Sequence, residues 1–174
     1  MYTIRDVNKA KKGNKKAFAK IIQAEKQRLY RIAFLYVKNE NDAVDIVQEA
    51  TYKALLSIGN MKEINQVAAW LKRITINCAI DFLRRQKKVI PFEDGSVEIV
   101  EQRMVHTEEK LDLYDLLDYL NERDKTIIIL KYYEDLTSRE IAEFLDCPEG
   151  TVKSSLHRSL KLLKGKIEED YMNG

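Results

Sequence analysis

Hydrophobic residues recur at helical spacing along most of the 174-residue chain. Apolar positions three or four residues apart predict amphipathic helices, and the strict alternation of exposed and buried strand positions is almost absent. In the first half of the chain the pattern predicts helices at about 14–37, 42–58 and 70–88. Residues 59–69 are expected to form a loop or a short helix. The predicted fold class is therefore all-α.

The helix predicted at 70–88 has an apolar stripe and a basic side. The stripe consists of residues at helical spacing: Leu71, Ile74, Cys78 and Phe82. Polar residues share a different side: Arg73, Asn77, Arg84 and Lys88. They lie close together because steps of four, seven and four residues nearly complete whole turns. Such a helix suits a polyanion, although a solvated basic face explains this stretch alone equally well.

The helix predicted at 42–58 also has two distinct sides. Its core side is predicted to contain Ala43, Val44, Val47, Ala50, Thr51, Ala54, Leu55 and Ile58. The outer side contains Asp42, Asp45, Glu49, Tyr52, Lys53 and Leu56. Acids in a first turn complement the helix dipole, which accounts for Asp42 and Asp45. Tyr52 and Leu56 are not explained in this way, and exposed apolar groups among acids favour a protein partner.

A segment without clear periodicity separates the two halves of the chain. It spans about 91–107, contains Pro, Gly and Ser, and opens a mostly acidic stretch. We predict two small helical domains, at 1–90 and 109–174, joined by a flexible acidic linker at 91–108. In the second domain, leucines at 111–120 predict one helix. A corner is expected at 122–124 and an apolar helix at 127–133.

The sharpest local signal is a capping box near the C-terminus. Thr137 is followed three residues later by Glu140, and this pair predicts the start of a short apolar helix. Pro148 is placed to occupy the first position of the next helix. That helix is predicted to bury Val152, Leu156, Leu160 and Leu163 and to expose Lys153, Ser154, His157, Arg158, Lys161 and Lys164. The polar cluster in its first turns favours a helix-turn-helix over an ordinary helical hairpin with a lysine-rich tail.

Composition and charge distribution limit the classes of protein to which this chain can belong. Hydrophobic residues make up 45% of the chain and charged residues 33%, and the formal net charge is +2. Basic residues cluster at 9–20, 72–88 and 153–166, which indicates nucleic-acid contact through separate patches. No apolar run approaches the roughly 20 residues of a membrane span, and the first residues lack a signal-peptide core, so we expect a cytoplasmic protein. Cys78 and Cys147 show no metal-site spacing and are expected to be reduced and buried.

Four stretches of the chain together resemble one protein family. They read AFAKIIQAEKQRLYRIAFLYVKN at 17–39, DAVDIVQEATYKAL at 42–55, WLKRITINCAIDFLRRQKK at 70–88 and LTSREIAEFLDCPEGTVKSSLHRSLKLLK at 136–164. In order and spacing they are similar to the small bacterial RNA polymerase sigma factors of the extracytoplasmic-function group, group 4. Those proteins contain the second and fourth sigma domains joined by a linker.

The resemblance implies a role for each surface. The clamp of the largest polymerase subunit would be bound by Asp42, Asp45, Gln48, Glu49 and Tyr52. The minus-ten promoter element would be bound and melted by Met61, Arg73, Asn77, Arg84, Arg85 and Lys88. The minus-thirty-five element would be read by Lys153, Ser154, His157 and Arg158. Asn77 matches a position near an extruded base, and Arg158 is the expected base contact.

The resemblance also implies partners and shows departures. The implied partners are core RNA polymerase, through its clamp and its β-subunit flap, promoter DNA, and a membrane-bound anti-sigma factor that could hold the chain at the membrane. No cofactor, metal, catalytic residue or small-molecule substrate is expected. The sequence departs from the usual family pattern at Met61, Ser155, Ser159 and Lys161, where an aromatic residue, Arg, Ala and Arg are common.

The sequence disfavours two other classes of protein. A stand-alone helix-turn-helix regulator would bind an operator as a dimer, but it needs neither the outer face at 42–56 nor the second basic helix. An enzyme acting on nucleic acid would carry a phosphate-binding loop, a zinc-deaminase signature or paired metal-binding carboxylates, and the sequence has none of these motifs.

Overall fold

The computed structural model describes residues 1–89 and 113–173, with side chains described for 1–86 and 114–172. Every regular element within these ranges is a helix, so the predicted all-α class is confirmed. The chain divides into two compact units, Met1–Arg85 and Gln86–Gly174, here called the N-terminal and C-terminal units. The linker predicted at 91–108 lies outside the described residues, and its boundaries stay predictions.

The first helices form the N-terminal unit. In chain order they are α1 (Ile4–Lys11), α2 (Lys15–Val37), α3 (Glu40–Ser57) and α4 (Val67–Val89). Short 3₁₀ turns at Ile58–Asn60 and Ile64–Gln66 connect α3 to α4. Asn14 caps α2 and Asn39 caps α3, because each side chain accepts a hydrogen bond from a backbone N–H three residues on.

Helix α1 was not predicted, so the expectation that the first helix starts near Asn14 is wrong. A capping box begins α1: the Thr3 hydroxyl accepts from the Asp6 N–H at 3.3 Å, and the Asp6 carboxylate accepts from the Thr3 N–H at 2.8 Å. Val7 and Ala10, at helical spacing, are buried. The signal was present in the sequence, but a helix of this length exposes too many lysines to give a clear apolar stripe.

The core of the N-terminal unit confirms the stripe predicted on α4 in part. Leu71 and Cys78 are buried, while Ile74 and Phe82 are half-buried. Helix α3 is rotated from its predicted orientation. It buries Ala43, Ile46, Ala50 and Ala54.

Two residues placed on the core side of α3 are therefore exposed. Val44 is 43% exposed and Leu55 is 41% exposed, whereas Ile46, which the pattern did not select, is fully buried. The reason is that alanines at 43, 50 and 54 let α3 approach its neighbours closely. The prediction for Val44 and Leu55 is wrong.

The C-terminal unit contains α5 (Leu113–Leu116), a 3₁₀ turn at Leu117–Tyr119, α6 (Glu122–Tyr132), α7 (Ser138–Leu145) and α8 (Glu149–Asn173). The corner predicted at 122–124 is wrong. These residues form the first turn of α6, because the Asn121 side chain caps the Asp124 N–H at 2.9 Å. Ile127, Ile141 and Val152 are fully buried and join α6, α7 and α8.

The predicted helix-turn-helix is confirmed in α7 and α8. Thr137 and Glu140 form the expected capping box, and Asp146 ends α7 in the left-handed conformation with φ 51°. Pro148 precedes α8 instead of occupying its first position, and its carbonyl accepts from the Thr151 N–H at 3.0 Å. No helix in the described part of the chain is both long enough and apolar enough to span a bilayer.

Candidate nucleic-acid and protein interfaces

The first candidate surface is the outer face of α3. We define it by residues that the helical step places within one third of a turn of each other: Asp42, Asp45, Gln48, Glu49 and Tyr52. Asp45 and Gln48 are exposed, and Tyr52 is 63% exposed. Leu56, one turn further along, is 65% exposed. Acidic and large apolar side chains are therefore presented together.

Glu49 differs from the other acids of this face because it is ion-paired to two cations. Its Oε1 lies 2.9 Å from Lys53 Nζ, and its Oε2 accepts a hydrogen bond from Arg85 Nη2 at 2.9 Å. The Lys53 hydrogen bond, followed by the Arg85 hydrogen bond, lowers the pKa of the Glu49 carboxyl. Lys53 Nζ also lies 4.0 Å from Asp81 Oδ2. The outer face of α3 thus contacts α4 directly.

This contact could not have been found in the sequence. Glu49 and Arg85 are 36 residues apart. Helical spacing alone would pair Arg85 with Asp81, which lies four residues before it on the same helix. In the structure the hydrogen bond of Arg85 is made to Glu49, and this bond raises the pKa of the Arg85 guanidinium.

The second candidate surface is the basic side of α4. Arg73, Asn77 and Arg84 are exposed on one side of the helix, and Arg85 is exposed beside them. The opposite side is buried through Leu71, Thr75, Cys78 and other residues, so the helix cannot rotate. Cys78 is buried, as predicted, and this burial raises the pKa of its thiol. Cys147 was also predicted to be buried but is half-buried. The Lys88 side chain lies outside the described residues.

The residues between α3 and α4, here called the 58–66 loop, border this surface. Met61 was predicted to meet DNA, but its side chain is 6% exposed and packs in the core with Val7, Ala10 and Leu71. An apolar side chain gains more from this burial than from exposure, so the assignment of Met61 as a DNA contact is not supported. Exposed side chains in the loop are Asn60, Lys62, Glu63, Asn65 and Gln66.

Sequence reasoning did not anticipate the hydrogen bond that holds this loop. Lys11 Nζ, at the end of α1, donates to the Met61 carbonyl at 2.5 Å. Because α1 was not predicted, nothing in the pattern connected residue 11 to residue 61. The capping box at Thr3 was the signal that could have identified the helix.

The third candidate surface is the start of α8. Lys153, Ser154, His157 and Arg158 are all exposed, and their spacing places them on one side of the helix. Lys153 Nζ lies 2.8 Å from Glu149 Oε1, which lowers the pKa of the Glu149 carboxyl. Ser154 Oγ donates to the Thr151 carbonyl at 3.0 Å. These contacts are local and leave the polar ends at the surface.

The buried side of α8 differs from its prediction. Ser155 and Ser159 are buried, whereas Leu160 is 43% exposed. Ser155 occupies a position where the family often has Arg, but here it faces the core and accepts a hydrogen bond from Arg158 Nη2 at 3.3 Å. The Ser159 hydroxyl has no hydrogen-bond partner within the described part of the chain. The helix is rotated because small side chains at 155 and 159 allow close packing.

Comparison with known families matches both units of the chain. Residues 21–89 match the family described as Sigma-70 region 2, and residues 110–163 match the family described as Sigma-70, region 4. Region 2 thus covers α2 to α4, including the first two candidate surfaces. Region 4 covers the helix-turn-helix and the third.

Individual relatives match nearly the full length. The chain is 40% identical over 162 residues to RNA polymerase sigma factor SigV of Bacillus subtilis, covering 93% of this chain and 98% of that protein. It is 31% identical over 177 residues to the ECF RNA polymerase sigma-E factor of Haemophilus influenzae, covering 93% of each.

Solved structures share the fold. CnrH in complex with the cytosolic domain of CnrY has a TM-score of 0.70 at 18% identity, covering 96% of this chain and 97% of that chain. The sigma factor RpoE in complex with the anti-sigma factor NepR from Bartonella quintana has a TM-score of 0.66 at 21% identity, covering 89% and 99%.

Proposed function

Because the chain belongs to the extracytoplasmic-function group of RNA polymerase sigma factors, we propose that its three exposed polar surfaces divide promoter recognition between them. As a sigma factor it binds core RNA polymerase and gives the enzyme its promoter specificity. The observation that carries the division is geometric. The outer face of α3 and the basic side of α4 are different surfaces of the N-terminal unit that meet at the Glu49–Arg85 ion pair, and the recognition helix α8 belongs to the C-terminal unit.

The outer face of α3 would bind the clamp of the largest polymerase subunit. The carboxylates of Asp45, which is exposed, and Asp42, which is half-buried, suit a basic partner surface, and Tyr52 supplies the aromatic area that is enriched at protein interfaces. Gln48 and Glu49 complete the face. Glu49 already pairs with Lys53 and Arg85, so the polymerase must compete with these cations for its carboxylate.

The basic side of α4 would bind the minus-ten element as it melts. Arg73, Arg84, Arg85 and Lys88 would hold phosphates, a contribution that weakens with salt because counterions are released on binding. Asn77 is uncharged and exposed among these cations, and its amide can both donate to and accept from a base. Extruding a base costs a few kcal/mol, and contacts from Asn77 and the 58–66 loop would offset that cost.

The start of α8 would read the minus-thirty-five element in the major groove. Arg158 is the candidate for a bidentate contact to guanine, and Lys153, Ser154 and His157 are its neighbours on the same side. The β-subunit flap would bind elsewhere on the C-terminal unit. No step of this function needs an active site or a cofactor in this chain, and we propose that it is not an enzyme.

Solved structures with this fold support a proposal about regulation. CnrH is bound to the cytosolic domain of CnrY, and RpoE to the anti-sigma factor NepR. We propose that this chain is cytoplasmic, serves a stress-response regulon and is held inactive by an anti-sigma factor, which would hold it at the membrane where that factor is membrane-bound.

Run-off transcription with purified core polymerase tests the proposal. The chain plus core should start transcripts at a subset of promoters, including the promoter of its own operon, and the chain alone should bind promoter DNA poorly. Tight operator binding without core, and no support of transcription, would instead identify a stand-alone helix-turn-helix regulator.

Variants test the division between surfaces. Asn77→Ala should impair promoter opening more than core binding, with Gln86→Ala on the same helix as the matched amide control. Joint charge reversal by Asp45→Lys and Glu49→Lys should impair core binding more than opening, with Glu143→Lys in the other unit as control. If both sets of changes reduced only core affinity, the proposed division would be wrong.

A further inference from the structure

Helix α1 is attached to the 58–66 loop through the middle of that loop. Its last residue, Lys11, is half-buried, and Lys11 Nζ donates to the Met61 carbonyl at 2.5 Å. The two residues are 50 positions apart in the sequence. A cation bonded to a carbonyl makes a stronger hydrogen bond than a neutral donor does. The contact therefore constrains the backbone of the loop and not merely a side chain.

Met61 is held at two further points. Its N–H donates to the Ile58 carbonyl at 3.2 Å, and its side chain is buried in the core with Val7 and Ala10 of α1. The N–H, the carbonyl and the side chain of one residue are thus all fixed. The exposed residues Lys62 and Glu63 follow immediately, so their starting direction is set at Met61.

Helix α1 is itself anchored, so that it can serve as a fixed support. Lys20 Nζ of α2 lies 2.8 Å from Asp6 Oδ2. The Tyr2 hydroxyl donates to Glu25 Oε1 at 3.0 Å, and burial together with this acid raises the pKa of Tyr2 to about 12. Contacts at Tyr2 and Asp6 hold one end of α1 on α2, and Lys11 at the other end holds the loop.

We infer that α1 positions the 58–66 loop for recognition of the minus-ten element, and that Lys11 is the positioning residue that sets the path of the loop backbone. Lys11 does not touch DNA in this arrangement. It acts through the Met61 carbonyl on the exposed side chains that follow, those of Lys62, Glu63, Asn65 and Gln66. The inference rests on the proposed function, in which the 58–66 loop meets the extruded base.

The test measures base preference instead of total activity. Core polymerase with each variant is assayed by run-off transcription on templates that carry every single-base change in the minus-ten element. Lys11→Met removes the donor but keeps a long apolar side chain, and it should flatten the preference for the best base by roughly tenfold, the order expected for losing one charged hydrogen bond. Core affinity should change less than twofold.

Three further variants make the result specific. Lys12→Met, at an exposed neighbouring position, should keep the wild-type preference, and Lys11→Arg, which retains a charged donor, should largely restore it. Joint Lys62→Ala and Glu63→Ala changes in the loop should alter preference directly. Thermal unfolding is measured for every variant, and Lys11→Leu, which also lacks a donor, replaces Lys11→Met if the latter does not fold.

The outcomes separate this inference from the proposed function. If Lys11→Met keeps the wild-type preference while the loop variant changes it, the positioning role is wrong and the role of the loop stands. If the loop variant changes nothing, the role of the loop in base selection fails, and the positioning role fails with it. A loss of transcription that is equal at all templates would also overturn the inference, because it would indicate a structural defect only.

Discussion

The N-terminal unit has ion pairs between helices as well as within them, whereas the ion pairs described on α7 and α8 join residues of the same helix. In the first unit Asp6 pairs with Lys20 across α1 and α2, and Glu49 pairs with Arg85 across α3 and α4. On α7 and α8 the described ion pairs join residues three or four positions apart: Arg139–Glu143, Glu149–Lys153, Lys164–Glu168 and Lys166–Glu169.

This difference decides how far a substitution reaches. A pair within one helix supports only that helix, by a few tenths of a kcal/mol, and its members can be changed one at a time. A pair between helices links two surfaces. Glu49 belongs to the proposed polymerase contact and Arg85 to the proposed DNA contact, so a change at either is felt at both. We therefore expect separable effects on α8 and coupled effects on α3 and α4.

The largest effect is expected on α8, at Arg158. Arg158→Ala removes the proposed bidentate contact to guanine, which is worth about 1–3 kcal/mol of base discrimination. Transcription from a promoter with the preferred minus-thirty-five element should fall by roughly 5- to 150-fold. Lys161→Ala, an exposed cation on the same helix, is the control and should have a much smaller effect. An equal loss from both variants would show that α8 supplies charge without reading bases.

A stabilising effect is expected at Ser159. Its buried hydroxyl has no partner within the described residues, and an unsatisfied buried polar group costs about 1–3 kcal/mol. Ser159→Ala should raise the free energy of unfolding by about 1 kcal/mol, as measured by urea denaturation, with Ser154→Ala at the surface as the control. A destabilised Ser159→Ala protein would show that the hydroxyl is satisfied and that the interior of this unit is also bridged by polar contacts.

A smaller effect is expected from breaking the pair between α3 and α4. Glu49→Gln frees Arg85, so the chain without polymerase should bind non-specific DNA up to about fivefold more tightly at low salt, as the 0.2–1 kcal/mol of an exposed pair allows. The logarithmic salt slope should steepen by about 0.7–0.9 for one added phosphate contact. Fluorescence anisotropy measures both quantities.

Two controls apply to this comparison. Asp45→Asn removes the same charge from the same helix without touching Arg85, and it should give a smaller gain. Joint Glu49→Gln and Arg85→Gln changes should abolish the gain. Additive effects of the two changes would mean that the pair does not couple the two surfaces.

The smallest effect is a pH dependence at Asp6. The Lys20 hydrogen bond, with further hydrogen bonds from Thr3, lowers the pKa of Asp6 to about 2, against about 3.9 in an unfolded chain. A carboxyl with a lowered pKa stabilises the fold fully above about pH 4, and the contribution is lost as the pH falls towards about 2. The stability difference between wild type and Asp6→Asn should therefore shrink over that range in urea denaturation. A difference that stays constant with pH would exclude the ion pair as its source.

Local features were predictable because their causes lie within a few residues. The capping box at Thr137 and the helix-turn-helix are confirmed, since the cap depends on a side chain and a backbone N–H three residues apart. The exposed polar side of α4 could be read from its spacing for the same reason. Errors occurred where helix rotation mattered. Val44, Leu55 and Leu160 are exposed because α3 and α8 pack through the sides that carry their small residues.

The sequence by itself determined the helical class, the two units, the capped start of α7 and the family to which the chain belongs. These depend on periodicity, on local hydrogen bonds and on the order of motifs, all of which can be recognised in the linear sequence. Only the tertiary structure decided that Met61 lies in the core, that Lys11 holds its carbonyl and that Glu49 binds Arg85. Glu49 and Arg85 are 36 positions apart in the sequence, and Lys11 and Met61 are 50 apart. Packing brings these residues together, and helical periodicity carries no information about which helix faces will meet.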